Sequence, residues 1–313
     1  MTRTIFIFIA TLFLFAPAII LYESSPNLES QLLLVGPILL ILGIPHGAID
    51  HVLYQRSQTI SNFRFIATYL SIVLTILVLW WIFPIITYIL FLGTSAYHFG
   101  QSQFSHYFKK QNMRTRLLFM SWGTLLLSTL MLFNSAELDS LARDYSEFGS
   151  IHVLNSTLLL YLVVISGLFT VSLIFIMIAR NELLKPHALM ELVVAFMLLV
   201  SFYLLPFLIG FTLYFIILHA WKVMQEEFGF LKKSGVVKNP IDFIKILSPF
   251  SIVSFMGIGL VYTAIYNQWL NISFGYALLI VISAITIPHA FVMDQFYGLL
   301  FKRKFYQNEQ VID

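Results

Sequence analysis

Cysteine is absent from all 313 residues, so the chain has no disulfide framework, no thiolate metal ligand and no cysteine nucleophile. Charge is almost as scarce. Asp, Glu, Lys and Arg make up 11% of the chain, where soluble domains carry about a quarter, while 59% of residues are hydrophobic and mean hydropathy is +0.88. That balance excludes a water-soluble globular fold. It also leaves no basic surface for nucleic acid beyond the short loops. Solvated domains, low-complexity tracts and long linkers are missing too, so residues 1–313 are expected to form one domain. What remains is a series of apolar runs divided by short polar breaks. This pattern predicts an all-α, polytopic integral membrane bundle in a lipid bilayer.

A spanning helix needs about 20 mainly apolar residues. Runs of that length give ten spans, at roughly 4–22, 31–54, 63–82, 84–107, 117–134, 153–179, 187–205, 207–229, 247–266 and 272–299. The first follows Arg3 without a small-residue cleavage site, which favours a membrane helix over a removed signal. The third and fourth spans part only near Phe83-Pro84, and the seventh and eighth only near Leu205-Pro206, where proline favours a turn. Fusing each pair into one kinked helix gives an eight-span alternative. With a cytoplasmic N-terminus, ten spans put 17 of the 18 Lys and Arg residues on the inner side, Arg143 being the exception. The outer connections carry Glu23, Glu29, Glu137, Asp139, Asp144 and Glu147. The expected topology is therefore about ten helices with both termini cytoplasmic, in a cell's inner (plasma) membrane.

Ionisable side chains inside apolar segments are costly and by default mark a functional site. His106, His152 and His187 fall near span ends, at the interface. His46 and His51 lie inside the second span, His98 inside the fourth, His219 inside the eighth and His289 inside the tenth. All four spans run from outside to inside. His46, His98, His219 and His289 precede the inner basic residues Arg56, Lys109, Lys232 and Lys302 by 10, 11, 13 and 13 positions. At 1.5 Å per residue, each is about 15–20 Å from the inner end, so the four imidazoles share one layer. His51 sits more than one turn below them and is a further candidate ligand. Histidines that only pack have no reason to agree in depth. A set that does agree suits a metal, and imidazole without thiolate suits iron, copper or zinc. A haem held by histidine pairs is a competing use of the same residues.

Carboxylates follow three of the histidines: Asp50 by four positions after His46, Asp294 by five after His289 and Glu226 by seven after His219. A metal-bound imidazole usually gives its other N–H to such a group, which fixes the tautomer. Pro45-His46 and Pro288-His289 repeat one step, and proline there frees a backbone carbonyl and bends the helix. Gly43, Gly47 and Gly100 are placed to let helices approach closely. Most of the 31 Phe and 15 Tyr residues are expected at lipid-facing and core positions, and some are available to wall an apolar ligand.

The segments Pro-His-Gly-Ala-Ile-Asp-His (45–51), Ser-Ala-Tyr-His-Phe-Gly (95–100), His-Ala-Trp-Lys (219–222) and Ile-Pro-His (287–289) resemble the Brp/Blh family of membrane-embedded beta-carotene 15,15'-dioxygenases. The resemblance implies a non-haem iron enzyme that splits the central double bond of beta-carotene with dioxygen to give two molecules of retinal, often serving a microbial rhodopsin. On that reading Fe(2+) is held by His46, His98, His219 and His289, with His51 as the further candidate. Asp50, Asp294 and Glu226 orient the ligands, and Tyr97 and Trp221 shape the carotenoid pocket. Two departures matter. The family is expected to carry a second histidine where Val223 stands, and an acidic residue where Gln101 and Gln103 follow His-Phe-Gly. These leave open a related carotenoid substrate, altered activity or a non-catalytic paralogue. The competing class is a transporter using the buried Asp50 and Asp294 as ion sites. A di-iron hydroxylase is disfavoured because no His-x-x-x-His box occurs.

Overall fold

The computed structural model describes residues 7–12, 27–57, 61–108 and 110–309. Every regular element among them is helical. The long helices are α1 (Leu28–Arg56), α2 (Asn62–Ile82), α3 (Pro84–Phe104) and α4 (Met113–Phe133). Two short ones follow, α5 (Ser135–Asp144) and α6 (Ser146–Ile151), and then α7 (Ser156–Ala179) and α8 (Lys185–Leu204). The chain ends with α9 (Phe207–Lys233), α10 (Pro240–Tyr266) and α11 (Phe274–Glu309). Eight of these helices are long and apolar enough to cross a bilayer, and the chain is a polytopic membrane protein.

Nine of the ten expected spans are thus helices. Of the first, only 7–12 is described, as helix, and the remainder falls outside the described residues. The ninth long helix is α3, which is not among the eight. Its second half explains why: Ser95, His98, Gln101, Ser102 and Gln103 are all buried. A helix wrapped by other helices does not need an apolar surface all round.

Both weak breaks are real. Phe83 leaves helical geometry at φ −134°, ψ 62°, and Pro206 is extended at φ −55°, ψ 157°. The other polar breaks act as caps: the side chains of Asn27, Ser61, Asn112, Asn155 and Asn239 each accept a first-turn N–H.

Two features position the helices that carry histidines. At one end of the bundle, Glu137 of α5 accepts from Phe207 N (3.0 Å) and from Gln31 Nε2 (2.5 Å), and Gln31 Oε1 accepts from Leu208 N (3.0 Å). The otherwise unpaired N-terminal amides of α9 are thereby tied to α1. In the middle, α3 and α4 cross backbone to backbone. A Cβ added to Gly100 would lie 1.9 Å from Phe119 O, and one on Gly123 would lie 1.7 Å from Ala96 O. Gly100 therefore works as the sequence suggests, and Gly123 is its unanticipated partner. Gly43 lies against the Phe215 side chain, where a Cβ would be 3.0 Å from Cε1. Gly47 faces the His289 ring at ordinary contact distance.

Candidate metal centre

Irregular backbone surrounds the first histidine. Pro45 has no N–H to return to the preceding turn, and α1 responds by widening into a π turn at Leu39–Gly43 and tightening into a 3-10 turn at Ile44–Gly47. The Gly43 carbonyl then accepts from His46 Nδ1. A carbonyl can only accept, so Nδ1 carries the proton and Nε2 keeps its lone pair. α9 has its own π turn at Tyr214–Ala220, which includes His219. By contrast, α11 runs through Pro288 without a break.

These elements bring four imidazoles together. One ring nitrogen from each of His46, His98 and His219 lies within 4.8 Å of the others. The His289 ring adjoins them, its centroid 4.8 Å from His46 and 5.0 Å from His98. His98 and His219 are 4.8 Å apart by the same measure. His98, His219 and His289 are each at most 2% exposed. Both nitrogens of His98, and Nε2 of His219 and of His289, are buried without a hydrogen-bond partner. An unpaired buried polar atom costs about 1–3 kcal/mol, so four in one cluster fit poorly with a packing role. An all-nitrogen set with ring nitrogens this close together fits a divalent transition metal.

The other candidates are distributed around this cluster. His51 lies apart, its ring 4.5 Å from that of Phe250 in α10. Asp50 is buried beside a histidine, and that histidine is His289: Nδ1 to Oδ1 is 2.8 Å, with the Tyr69 hydroxyl on Oδ2 at 3.2 Å. The α-helical phase that would put Asp50 beneath His46 is lost in the 3-10 turn. Asp294 accepts from Gln101 (2.7 Å), Tyr97 (3.2 Å) and Gln111 (3.2 Å), while Glu226 accepts from the Tyr297 hydroxyl (2.9 Å). Tyr97 thus turns its hydroxyl towards Asp294, and Trp221 is 48% exposed on the surface of α9.

The rings that touch the centre are others. Phe215 stacks on His219 (5.4 Å) and meets His46 edge-on (5.3 Å), Phe211 stacks on Phe215 (5.3 Å), and Phe99 packs on His219 (4.8 Å). In the sequence these are ordinary apolar positions of a membrane helix, which is why they gave no signal.

Both glutamine departures have a physical reason in this chain. Gln101 donates to Asp294, and Gln103 donates to the buried Glu191 at 2.6 Å, alongside the Tyr107 hydroxyl at 2.6 Å. An acid at either position would face a carboxylate. Val223 is fully buried in the apolar core. Glu227 went unnoticed in the sequence beside Glu226, yet both of its oxygens are buried without a partner.

The class of protein is thus an all-helical membrane bundle closed around a histidine cluster, with aromatic rings on its flank. A sequence model of one family, beta-carotene 15,15'-dioxygenase, matches residues 38–297, a stretch that includes all four clustered histidines. The chain belongs to that family, whose name denotes oxygenases of carotenoids. No curated protein matches the chain, and no solved structure does.

Proposed function

We propose that this protein cleaves the central 15,15' double bond of beta-carotene, or of a closely related carotenoid, with dioxygen, using ferrous iron held by His46, His98 and His219 with His289 completing the set. The observation that carries the reading is the cluster itself: four imidazoles from four helices packed ring against ring, three of them buried with ring nitrogens that have no partner, inside a chain of the carotenoid dioxygenase family. Iron(II) bound there supplies the electron chemistry that lets dioxygen react with a closed-shell polyene. The balance needs no external reductant: one C=C bond breaks, and each oxygen atom of one O2 ends in one aldehyde, giving two retinal molecules from beta-carotene.

The protein's own residues supply position and dryness. Gly43 O, Ser102 and Asp50 engage the Nδ1 atoms of His46, His219 and His289, leaving the Nε2 atoms for the metal. Phe99, Phe211 and Phe215 offer flat apolar faces to a polyene and exclude water. An apolar cleft of about 140 Å³ lies between α1 and α9, lined by Leu34, Val35, Ile38, Ile209, Leu213 and Ile216 among others. A carotenoid dissolved in the hydrocarbon layer reaches such a cleft without leaving the membrane. The basic connections favour an inner (plasma) membrane with these loops in the cytoplasm, where a microbial rhodopsin is the natural consumer of retinal.

The test is expression in a beta-carotene-producing bacterium, with pigments separated by chromatography and metal measured on the purified protein. Loss of carotene with appearance of retinal, and about one iron per chain, is the expected result. Iron with unchanged carotene would overturn the substrate. A protein without metal would overturn the centre and leave a transporter using Asp50 and Asp294 as the better reading.

A further inference from the structure

Lys222, the last residue of the His-Ala-Trp-Lys segment, has no part in the chemistry above, yet it is firmly held. Its Nζ donates to two backbone carbonyls at the end of α3, Ser102 O at 2.7 Å and Gln103 O at 2.9 Å. The last four carbonyls of a helix have no partner within it, and a cation there is favourable on both hydrogen-bonding and dipole grounds. Lys222 stands three positions after His219, on the same face of α9. Ser102 stands four positions after His98, on the same face of α3. One turn of α9 therefore grips one turn of α3 at Ser102, by the Lys222 ammonium and by the His219 imidazole.

The hydroxyl of Ser102 has one proton and two contacts. It lies 3.0 Å from Phe99 O and 2.9 Å from His219 Nδ1. Phe99 O is a carbonyl and can only accept, and the Ser102 hydroxyl donates to it. The contact with His219 is then an acceptance, and His219 Nδ1 must carry the hydrogen. That leaves the lone pair on Nε2, the atom that is buried with no other partner. Ser102 is 2% exposed and His219 1% exposed, so water does not offer an alternative arrangement.

We propose that Ser102 and Lys222 form a positioning clamp: Ser102 selects the His219 tautomer that presents Nε2 to the metal, and Lys222 holds the Ser102 backbone so that the hydroxyl stays in register with His219. The clamp also fixes the spacing of α3 against α9, and with it the separation of His98 from His219. The inference rests on the metal reading above. Neither residue touches the metal, so both are positioning residues.

The experiment measures iron(II) retention by purified protein dialysed against a graded chelator series, together with thermal unfolding of the metal-free form. In Ser102→Ala the hydroxyl is gone, His219 is free to take either tautomer, and iron retention falls by about 10- to 100-fold, the range typical of lost support behind a metal-bound histidine. Unfolding of the metal-free form stays close to the parent. Ser102→Thr, which keeps the hydroxyl, restores retention. Lys222→Met weakens retention less than Ser102→Ala does, and the double variant is no worse than Ser102→Ala alone, since both act on one histidine. Parent-like retention in Ser102→Ala, or failure of Ser102→Thr to rescue, overturns the clamp. A parent protein that retains no iron overturns the metal reading itself, so the two failures are distinct.

Discussion

The tripeptide Ile-Pro-His occurs twice at the centre, at Ile44-Pro45-His46 in α1 and at Ile287-Pro288-His289 in α11, and the two copies fold differently. In α1 the helix passes through a π turn and a 3-10 turn, and His46 is anchored by Gly43 O, three residues back in its own chain. In α11 the helix continues unbroken and His289 is anchored by Asp50, more than 200 positions away on another helix. Proline removes the same N–H in both copies. The flanks differ: Gly43 and Gly47 bracket the first copy and relax its backbone, whereas Ala284 and Ala290 stand near the second and favour continued helix. One local sequence thus gives a self-anchored ligand in one helix and a neighbour-anchored ligand in the other.

Removing the rings tests the two copies most severely. His46→Ala, like His98→Ala, is expected to abolish iron retention, because each belongs to the three-nitrogen group. His289→Ala removes the adjoining ring and is expected to leave a measurable fraction of bound iron, read by metal analysis after gel filtration. Equal and complete loss in all three variants would mean that His289 belongs to the inner set on the same terms as the others.

Asp50→Asn strikes only the second copy. It keeps an acceptor but loses the charge that makes the His289 ring a strong donor. Iron retention is expected to fall by about tenfold, at the lower end of what support behind a metal-bound histidine contributes, with helix content by circular dichroism unchanged. If the variant instead disturbed the His46 signal in histidine-labelled NMR spectra more than that of His289, the pairing would be wrong.

The smallest effects come from the prolines. Pro45→Ala restores an N–H and allows α1 to continue as regular helix, so the Gly43–His46 hydrogen bond, worth about 1 kcal/mol or about fivefold in binding, is at risk. Iron affinity should drop by about that factor. Pro288→Ala sits in a helix that is already continuous; it should leave affinity within about twofold and raise the melting temperature, since proline in a helix interior costs up to about 3 kcal/mol. Matching affinity losses in the two variants would remove the distinction between the copies.

Much of the centre was legible in the sequence because depth along a membrane helix is a simple count. On the expected topology four helices run the same way, distance from the basic residues becomes height, and His46, His98, His219 and His289 fall at one height. Their partners were not legible by the same count. Asp50 is in phase with His46 on an ideal helix, but the π and 3-10 turns shift that phase and deliver it to His289. Asp294 and Glu226 likewise took tyrosine and glutamine partners from other helices. Gln101 and Gln103 looked like defects until Asp294 and Glu191 came beside them.

The sequence alone determined that this is a bundle of membrane helices and set four histidines at one expected level, because hydropathy and helical rise are properties of a single chain read in order. Only the tertiary structure decided which nitrogen of His46, His219 and His289 is engaged, that Gly123 meets Gly100's helix, and that Ser102 and Lys222 sit behind His219. Those outcomes depend on the rotation of each helix about its own axis. That rotation is set by contacts between helices far apart in the chain, and a local break such as the one at Pro45 resets it.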